Sequence, residues 1–307
     1  MAQRLGHDGE MRCVAIFLVA GVAAYSTGCG RSDFARLSDS SPPLDATDAP
    51  GLFDSAPRSC GAWRTPTPIA ELNTSNDERG GVLTGDGLTL IWTSATGSFI
   101  AHRTNRSSPF TSPVPIPGIV EDIFEHVVSA DGLEYFFTPK GNNDCPVRIV
   151  ATTPFVFDGP RELMPSFCTL RFTGMTFANG GLAMYGNSPL VSNYGAVYRA
   201  SRASRDSNFA NPVLIDSLPN DLGFVAVTPD ELELIAERKV GLQLQLFASK
   251  RASTTAPWSA LAPMTFASAF DDEDASITDD GTELVFDSNR PGGTGGYDLY
   301  RTTRTCP

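Results

Sequence analysis

The sequence is poor in histidine and has fewer basic than acidic residues. Among its 307 residues are only three histidines, and 23 Lys and Arg stand against 35 Asp and Glu, for a formal net charge of −12 at pH 7. Such a chain lacks the positive field that attracts nucleic acid or anionic lipid headgroups, so we expect no nucleic-acid partner. With 41% hydrophobic and 19% charged residues, the composition is that of a folded globular protein with a sizeable core.

Motifs for nucleophilic and metal chemistry are also missing. The sequence contains no G-x-S-x-G elbow, and its histidines, at His7, His102 and His126, do not have the spacing with cysteine that a zinc site needs. Clustered carboxylates would suit Ca²⁺, but no D-x-[DN]-x-[DN]-G loop is present. We therefore predict no cofactor and assign no metal-ligating residue, and a Ca²⁺ site at the clustered carboxylates is the open alternative.

No apolar run is long enough to cross a bilayer comfortably. The strongest one extends from Cys13 to Tyr25 and follows Arg12, which is typical of the apolar region of a secretory signal peptide. Translation could begin at Met1 or at Met11, because Met11 directly precedes this basic residue. The N-terminus is therefore predicted to be an export signal.

The apolar run ends in Ser26-Thr27-Gly28-Cys29, which resembles the lipobox of bacterial lipoproteins. The resemblance implies that Cys29 is lipidated and becomes the mature N-terminus, although Ser26 stands where leucine is usual. The next residue is Gly30 and not the aspartate that favours inner-membrane retention, which implies an outer-membrane lipoprotein. An ordinary secretory signal cut nearby is the alternative.

These features divide the chain into three parts. Residues 1–28 are predicted to be the lipoprotein signal peptide. Residues 29–59 are rich in Ser, Asp and Pro without apolar periodicity, which predicts a flexible tether. Residues 60–307 are predicted to fold.

The folded part contains five copies of one unit. Each copy has an aromatic residue followed six positions later by an aliphatic one: Trp63 and Ile69, Phe110 and Ile116, Phe157 and Leu163, Phe209 and Ile215, Trp258 and Met264. Roughly 22 residues after each aromatic comes a turn signal, around positions 86, 131, 179, 230 and 280. Strand-like runs flank each turn, so each unit supplies four short strands. This pattern predicts an all-β, five-bladed β-propeller of four-stranded blades.

The two ends of the repeat region complement each other. The first unit begins with its aromatic-led strand alone, and the last unit ends without one. We therefore predict that Trp63 to Ile69 is the outer strand of the last blade, so that the ring closes. Cys60 and Cys306 lie where an unbroken chain would run. Four cysteines in an oxidising envelope allow three pairings, and closure selects Cys60 with Cys306, hence Cys145 with Cys168.

The last unit also carries a family resemblance. From Ala275 to Arg304 it combines a D-G turn, an LVF strand, the segment SNRPGG and the segment YDLY. It resembles the WD40-like, TolB-type propeller repeat of bacterial envelope proteins. The other four units keep the turn and the hydrophobic spacing but lose SNRPGG. The resemblance implies an interaction platform without chemistry of its own.

Acidic residues recur just before the predicted inner strands. Equivalent positions in a propeller converge on one face, so these residues predict a negative channel mouth that attracts a cation, a basic peptide segment or an amino sugar. Solvated acidic loops are the alternative interpretation. The candidate binding residues are Asp77, Glu78, Asp122, Glu125, His126, Asp221, Asp272, Glu273 and Asp274.

We therefore predict a cell-envelope lipoprotein whose propeller binds a protein or another ligand without catalysis. The expected partners are the membrane, through the lipid at Cys29, and an envelope protein or glycan. The predicted assembly is a monomer, because a closed propeller leaves no open sheet edge. The alternative is a glycoside hydrolase that uses the mouth carboxylates as an acid and base pair.

Overall fold

A computed structural model describes residues 59–141, 145–189 and 194–307, and these contain five four-stranded antiparallel sheets. Each sheet is one blade of a five-bladed β-propeller, as the repeats predicted. The predicted signal peptide, the predicted lipidation site Cys29 and all but the last residue of the predicted tether lie outside the described residues. No helix in the described part of the chain is long and apolar enough to span a membrane.

The strands follow one another in the order of the repeats, apart from β1 (Thr67–Pro68), which belongs to blade 5. Blade 1 is β2 (Glu78–Leu83), β3 (Thr89–Ser94), β4 (Gly97–His102) and β5 (Val114–Pro115). Blade 2 is β6 (Ile123–Val128), β7 (Glu134–Pro139), β8 (Val147–Val150) and β9 (Glu162–Leu163). Blade 3 is β10 (Thr173–Ala178), β11 (Ala183–Ser188), β12 (Ala196–Ser201) and β13 (Val213–Leu214).

Blade 4 is β14 (Leu222–Val227), β15 (Glu233–Val240), β16 (Gln243–Lys250) and β17 (Ala262–Pro263). Blade 5 joins β1 to β18 (Asp272–Ile277), β19 (Glu283–Ser288) and β20 (Asp298–Thr303). A one-turn helix, α1 (Pro165–Cys168), precedes blade 3, and a 3₁₀ turn (Asn179–Gly181) lies within that blade.

The predicted turns close the first hairpin of every blade. In blade 1 the Thr84 hydroxyl donates to Asp86 Oδ1 at 2.6 Å, and the same oxygen accepts from Leu88 N at 2.9 Å. Short side-chain oxygens that bond to nearby backbone stabilise tight turns in this way. Blades 2, 4 and 5 repeat the Ser/Thr-x-Asp arrangement at positions 129–131, 228–230 and 278–280. Blade 3 has Ala178 at the hydroxyl position and forms the 3₁₀ turn instead.

Ring closure follows the prediction. β1 pairs with β20, with Thr67 opposite Arg301 and Pro68 opposite Tyr300. Cys60 and Cys306 form a disulfide beside this ladder. Cys145 and Cys168 form the second disulfide, between the chain that enters β8 and the end of α1. Both predicted pairings are confirmed.

The apolar core is divided among the blade interfaces. Five clusters of buried residues each combine side chains of two adjacent blades. The repeat aromatics belong to them and are at most 9% exposed: Trp63, Phe110, Phe157, Phe209 and Trp258. Because each cluster needs both neighbours, the blades stabilise one another and hold the inner strands around a central channel.

Candidate functional site

Each inner strand carries a one-residue bulge in its first half. In β2 the extra residue lies between Arg79 and Val82, β10 and β18 have the bulge at the same repeat position, and in β6 and β14 it begins one position earlier. Bulges redirect side chains and are frequent beside functional sites. In β18 the bulge includes Asp274, whose φ of 50° is uncommon for a residue with a side chain. Asp274 lines the channel at this bulge.

The channel beside the bulges is narrow. Its cavity has a volume of about 40 Å³ and is lined by residues of all five inner strands, including Val82, Val127, Thr176, Phe224 and Asp274. One water molecule needs roughly 10–15 Å³ of such space. The cavity therefore admits a few waters or a group of ammonium size, and it does not admit a sugar ring.

Four carboxyl groups gather where blades 4 and 5 meet at the channel, and we call them the carboxyl cluster: Glu237, Glu273, Asp274 and Asp287. Glu237 and Asp287 are 2% and 0% exposed. Asp287 Oδ1 accepts from Gly80 N at 3.1 Å. Glu237 packs against Gly223, where an added Cβ would lie only 2.6 Å from Glu237 Oε1.

The carboxyl cluster faces a single cation. Arg79 Nη1 lies 2.9 Å from Glu273 Oε2 and 3.9 Å from Asp287 Oδ2. Within the described residues, no other cationic side chain forms an ion pair with the cluster. Arg79 is held in place by stacking over the Tyr297 ring, with its guanidinium carbon 3.3 Å from the ring centroid. Four carboxyl groups beside one guanidinium cannot all be ionised without a further cation.

Burial and mutual repulsion keep protons on this cluster. Burial, followed by the charges of the neighbouring carboxylates, raises the pKa of Glu237 and of Asp287 well above the ordinary range. Burial and the charge of Glu273 raise the pKa of Asp274 to about 7. In the described structure, Glu237 Oε2, Asp274 Oδ1 and Asp287 Oδ2 have no hydrogen-bond donor. A cationic donor from outside would satisfy these oxygens and displace the protons.

Several predicted site residues tie neighbouring segments together instead. Glu78 is buried and accepts from the backbone N and the hydroxyl of Thr74, at 3.0 and 2.6 Å. Asp77 is exposed and accepts from Tyr297 N at 3.1 Å. Glu125 accepts from Gly174 N of the next blade.

Three further predicted residues form ion pairs away from the cluster. Their partners and N–O distances are Asp122 with Lys140 at 2.9 Å, Asp221 with Arg238 at 2.8 Å, and Asp272 with Arg290 at 2.6 Å. Of the nine predicted residues, Glu273 and Asp274 belong to the carboxyl cluster, and Glu125, His126 and Asp274 line the channel cavity.

His126 is a buried link between blades. Its Nε2 lies 2.9 Å from Gly80 O and its Nδ1 lies 3.0 Å from the Tyr135 hydroxyl. Burial lowers the pKa of His126 to about 4. The ring is therefore neutral at pH 7, with Nε2 donating to Gly80 O and Nδ1 accepting from Tyr135.

Sequence reasoning missed Glu237 and Asp287. Both occupy one repeat position in the second strand, as the pairing of β15 with β16 and of β19 with β20 shows. The equivalent residues of blades 1 to 3 are also polar, namely Thr93, Thr138 and Asn187. A polar residue at the same strand position in all five units was the signal for this site.

Exposed apolar side chains surround the mouth. We call this set the apolar rim, and its exposed fractions are Val120 91%, Phe124 53%, Val240 42%, Leu242 90% and Phe270 39%. All lie on the channel-mouth face, where inner strands begin and where the hairpin of β15 and β16 turns. The two strands of that hairpin have eight residues each and are longer than the other described strands. Exposed apolar groups around a charged centre are typical of binding surfaces.

Metal ligation finds no support in the described residues, because no three His, Cys, Asp or Glu side chains there are arranged to hold a metal ion.

Comparisons with known proteins reveal the fold alone. No family model matches the sequence, and no curated protein matches it. The catalytic domain of a GH62 α-L-arabinofuranosidase from Coprinopsis cinerea superposes with a TM-score of 0.52 at 12% identity, covering 81% of this chain and 98% of that one. A Podospora anserina α-L-arabinofuranosidase solved with cellotriose gives a TM-score of 0.51 at 11% identity, covering 82% and 99%.

A structure of a putative TolB from Agrobacterium tumefaciens is also similar, with a TM-score of 0.44 at 15% identity, covering 74% of this chain and 79% of that one. At these identities the similarities establish a propeller and no activity.

Proposed function

We propose that this chain is an envelope lipoprotein whose propeller binds a basic segment of a protein partner at the channel mouth, without catalysis. The carboxyl cluster carries the proposal. It places four carboxyl groups beside one guanidinium and leaves three buried carboxyl oxygens without a donor. A lysine ammonium brings three donors and one positive charge, which match this deficit.

The size of the cavity supports a side chain as the occupant. A space of about 40 Å³ suits a single ammonium at the end of a flexible stem, whose methylenes can pass apolar surface. The apolar rim, with Phe124, Leu242 and Phe270, would contact the residues that flank the lysine. An interface of this kind has a desolvated charged centre and aromatic contacts around it.

A glycoside hydrolase is the second candidate, and one observation favours it. The pKa of Asp274 is raised to about 7, so that this carboxyl is partly protonated at neutral pH, as a general acid requires. The arabinofuranosidase neighbours have the same fold. Against this candidate, glycosidic cleavage needs two carboxyl groups that flank a bound sugar ring, and the cavity beside Asp274 does not admit one.

Peptide binding to the full-length protein in detergent tests the proposal. The probe is a fluorescent peptide that alternates lysine with leucine and phenylalanine, compared with the same peptide acetylated on its lysines. We expect the free-lysine peptide to bind at least tenfold more tightly, and Asp274→Asn to remove most of that difference. Asp122→Asn is the matched control, because its carboxylate is exposed and paired with Lys140.

Equal binding of the two peptides, or equal loss with Asp122→Asn, would contradict the proposal. Release of reducing ends from envelope or plant polysaccharides that is abolished by Asp274→Asn would favour the hydrolase.

The anchor is tested in the cell. Crosslinking in the intact envelope, followed by mass spectrometry, should identify protein partners of the wild type that are lost from a Cys29→Ser form. Partners that persist in the Cys29→Ser form would show that lipid anchoring is not needed for binding.

A further inference from the structure

A second concave surface lies far from the channel, on the outer part of blade 5. It has a volume of about 360 Å³ and lies between β20, its partner β1 and the chain that follows β4. We call it the arginine groove, and its residues that matter here are Arg64, Thr65, Thr67, Glu283, Arg301 and Thr303. Its volume falls in the range of roughly 300–1,000 Å³ found for ligand pockets, so that a sugar ring fits here although it does not fit the channel.

Two arginines of this groove have no carboxylate partner. Four arginines line the groove, and two of them are paired: Arg106 with Asp280 at 2.5 Å, and Arg304 with Glu233 at 2.7 Å. Neither Arg64 nor Arg301 forms an ion pair with any carboxylate of the described residues. In a chain with a net charge of −12, two unpaired guanidinium groups in one groove are unexpected.

The repeat shows that the arginine at position 301 is normally paired. Arg301 lies opposite Thr67 on the outer strand, as Arg148 lies opposite Glu162 and Arg199 opposite Val213. Arg148 binds Glu134 at 2.7 Å and Arg199 binds Glu231 at 2.6 Å. Blade 5 keeps this arginine and also a glutamate, Glu283, at the position of Glu134, but Glu283 pairs with Arg103 and leaves Arg301 without a carboxylate.

The other groove residues indicate which groups a ligand would meet beside these arginines. Thr67 lies directly opposite Arg301, and Thr303 lies opposite Glu283, so that these four side chains share one face of the sheet. Thr65 and Thr67 are exposed. The ligand therefore meets guanidinium groups beside hydroxyl groups.

Glu283 does not neutralise the groove arginines. Its Oε2 binds Arg103 Nη2 at 2.6 Å, and its Oε1 is fully buried, so that a ligand in the groove does not reach it.

We propose that the arginine groove binds an acidic saccharide of the hexuronic acid class. Its carboxylate binds Arg64 and Arg301, since guanidinium groups bind carboxylates through paired hydrogen bonds. Its hydroxyl groups bind the threonine hydroxyls. The site is separate from the channel mouth and does not depend on the function proposed for that face.

Calorimetry on the full-length protein in detergent tests this site, with trigalacturonate as the probe and the neutral galactose trimer as its uncharged counterpart. We expect trigalacturonate to bind and the neutral trimer not to bind. Arg64→Ala combined with Arg301→Ala should weaken trigalacturonate binding at least tenfold. Arg301→Lys should weaken it less than Arg301→Ala, because it keeps the charge and loses the paired hydrogen bonds.

Two controls make the result specific. Arg161→Ala removes a similarly exposed arginine that is paired with Glu121 on another blade, and Asp274→Asn changes only the channel mouth. Both should leave trigalacturonate binding unchanged. Absence of binding, equal weakening by Arg161→Ala, or equally tight binding of inorganic phosphate would each overturn the proposal.

Discussion

The guanidinium carbon of Arg304 lies 4.2 Å from the centroid of the Trp63 ring, although the two residues come from opposite ends of the propeller. The same contact occurs within single units seven residues apart, in the pairs Arg103 with Phe110, Arg202 with Phe209, and Arg251 with Trp258. Each of these arginines also donates through Nε to a carbonyl of the hairpin turn in its own blade. Ring closure thus restores a contact that the continuous repeats make locally.

Three of these arginines also reach a glutamate of the neighbouring blade. The pairs are Arg103 with Glu283 at 2.6 Å, Arg202 with Glu134 at 2.6 Å, and Arg304 with Glu233 at 2.7 Å. The interface between blades 1 and 2 lacks both members, with Ala151 at the arginine position and Thr89 at the glutamate position. Between blades 3 and 4, Ala183 stands at the glutamate position, and Arg251 pairs with Glu231 of its own blade at 3.5 Å. A buried charge without its partner is costly, which explains the joint replacement between blades 1 and 2.

Removing Arg304 should therefore destabilise the protein strongly. Its side chain is 3% exposed and that of Glu233 is 10% exposed, so Arg304→Ala leaves a buried carboxylate with only its longer contact to Lys250 Nζ, at 3.7 Å. We expect a loss of about 3–5 kcal/mol in the free energy of unfolding, measured by urea denaturation. Lys140→Ala, in an exposed pair with Asp122, should change it by less than about 1 kcal/mol.

Similar losses for these two variants would mean that the Arg304 pair contributes no more than a surface pair. Replacing both Arg304 and Glu233 by apolar residues should recover part of the loss, because neither charge then remains.

The sequence predicted the ring closure and the two disulfides but only part of the channel-mouth site. β1 and Cys60 could be placed because local spacing, repeated five times, determines where each strand falls in its blade. Glu237 and Asp287 could not be placed, because they meet only through the packing of blade 4 against blade 5. Asp274 depends on a bulge with positive φ, and no residue pattern identified that bulge.

The carboxyl cluster should make the protein less stable as pH rises. The pKa of Asp274 is raised from 3.8 to about 7, so the native state binds more protons than the unfolded state between these values. Stability from this group is complete below pH 3.8 and is lost as pH rises through about 7. Asp274→Asn should therefore stabilise the protein at pH 8 relative to the wild type, by at most about 4 kcal/mol. Urea unfolding at pH 4, 6 and 8 measures this difference.

The gain should shrink toward pH 4, where Asp274 is protonated in the native state. A gain that is independent of pH would show that packing and not ionisation is responsible. Asp122→Asn, at an exposed position, is the control and should leave the pH profile unchanged.

His126 should act in the opposite direction. Its pKa is lowered from 6.5 to about 4 by burial, so the unfolded state binds more protons between these values and stability is lost as pH falls through this window. His126→Gln should flatten the acid side of the stability profile, by up to about 3 kcal/mol between pH 7 and 4. His102, whose pKa is also lowered but which is less buried, offers a matched control in His102→Gln. An unchanged acid limb in His126→Gln would show that His126 is protonated in the folded protein.

The two disulfides should differ in their contribution to stability. Cys60 and Cys306 are separated by 246 residues, whereas Cys145 and Cys168 are separated by 23. In the chain-entropy model such loops contribute at most about 5 and about 3 kcal/mol. Replacing both Cys60 and Cys306 by serine should therefore lower the free energy of unfolding more than replacing both Cys145 and Cys168. Urea unfolding of the two double variants measures the difference.

Hydrogen exchange should locate the effect of the first replacement. β1 is two residues long, and near it the chain is held by Gly61 N donating to Thr305 O and Ile69 N donating to Leu299 O, both at 2.8 Å. Without the disulfide these amides should exchange faster than those of β19, because a short outer strand opens more easily than the strands it covers. The opposite outcome has two parts: the amides of Gly61 and Ile69 stay protected, and the Cys145 and Cys168 replacement is the more destabilising one. It would mean that the β1 ladder and the contact of Trp63 with Arg304 close the ring without the disulfide.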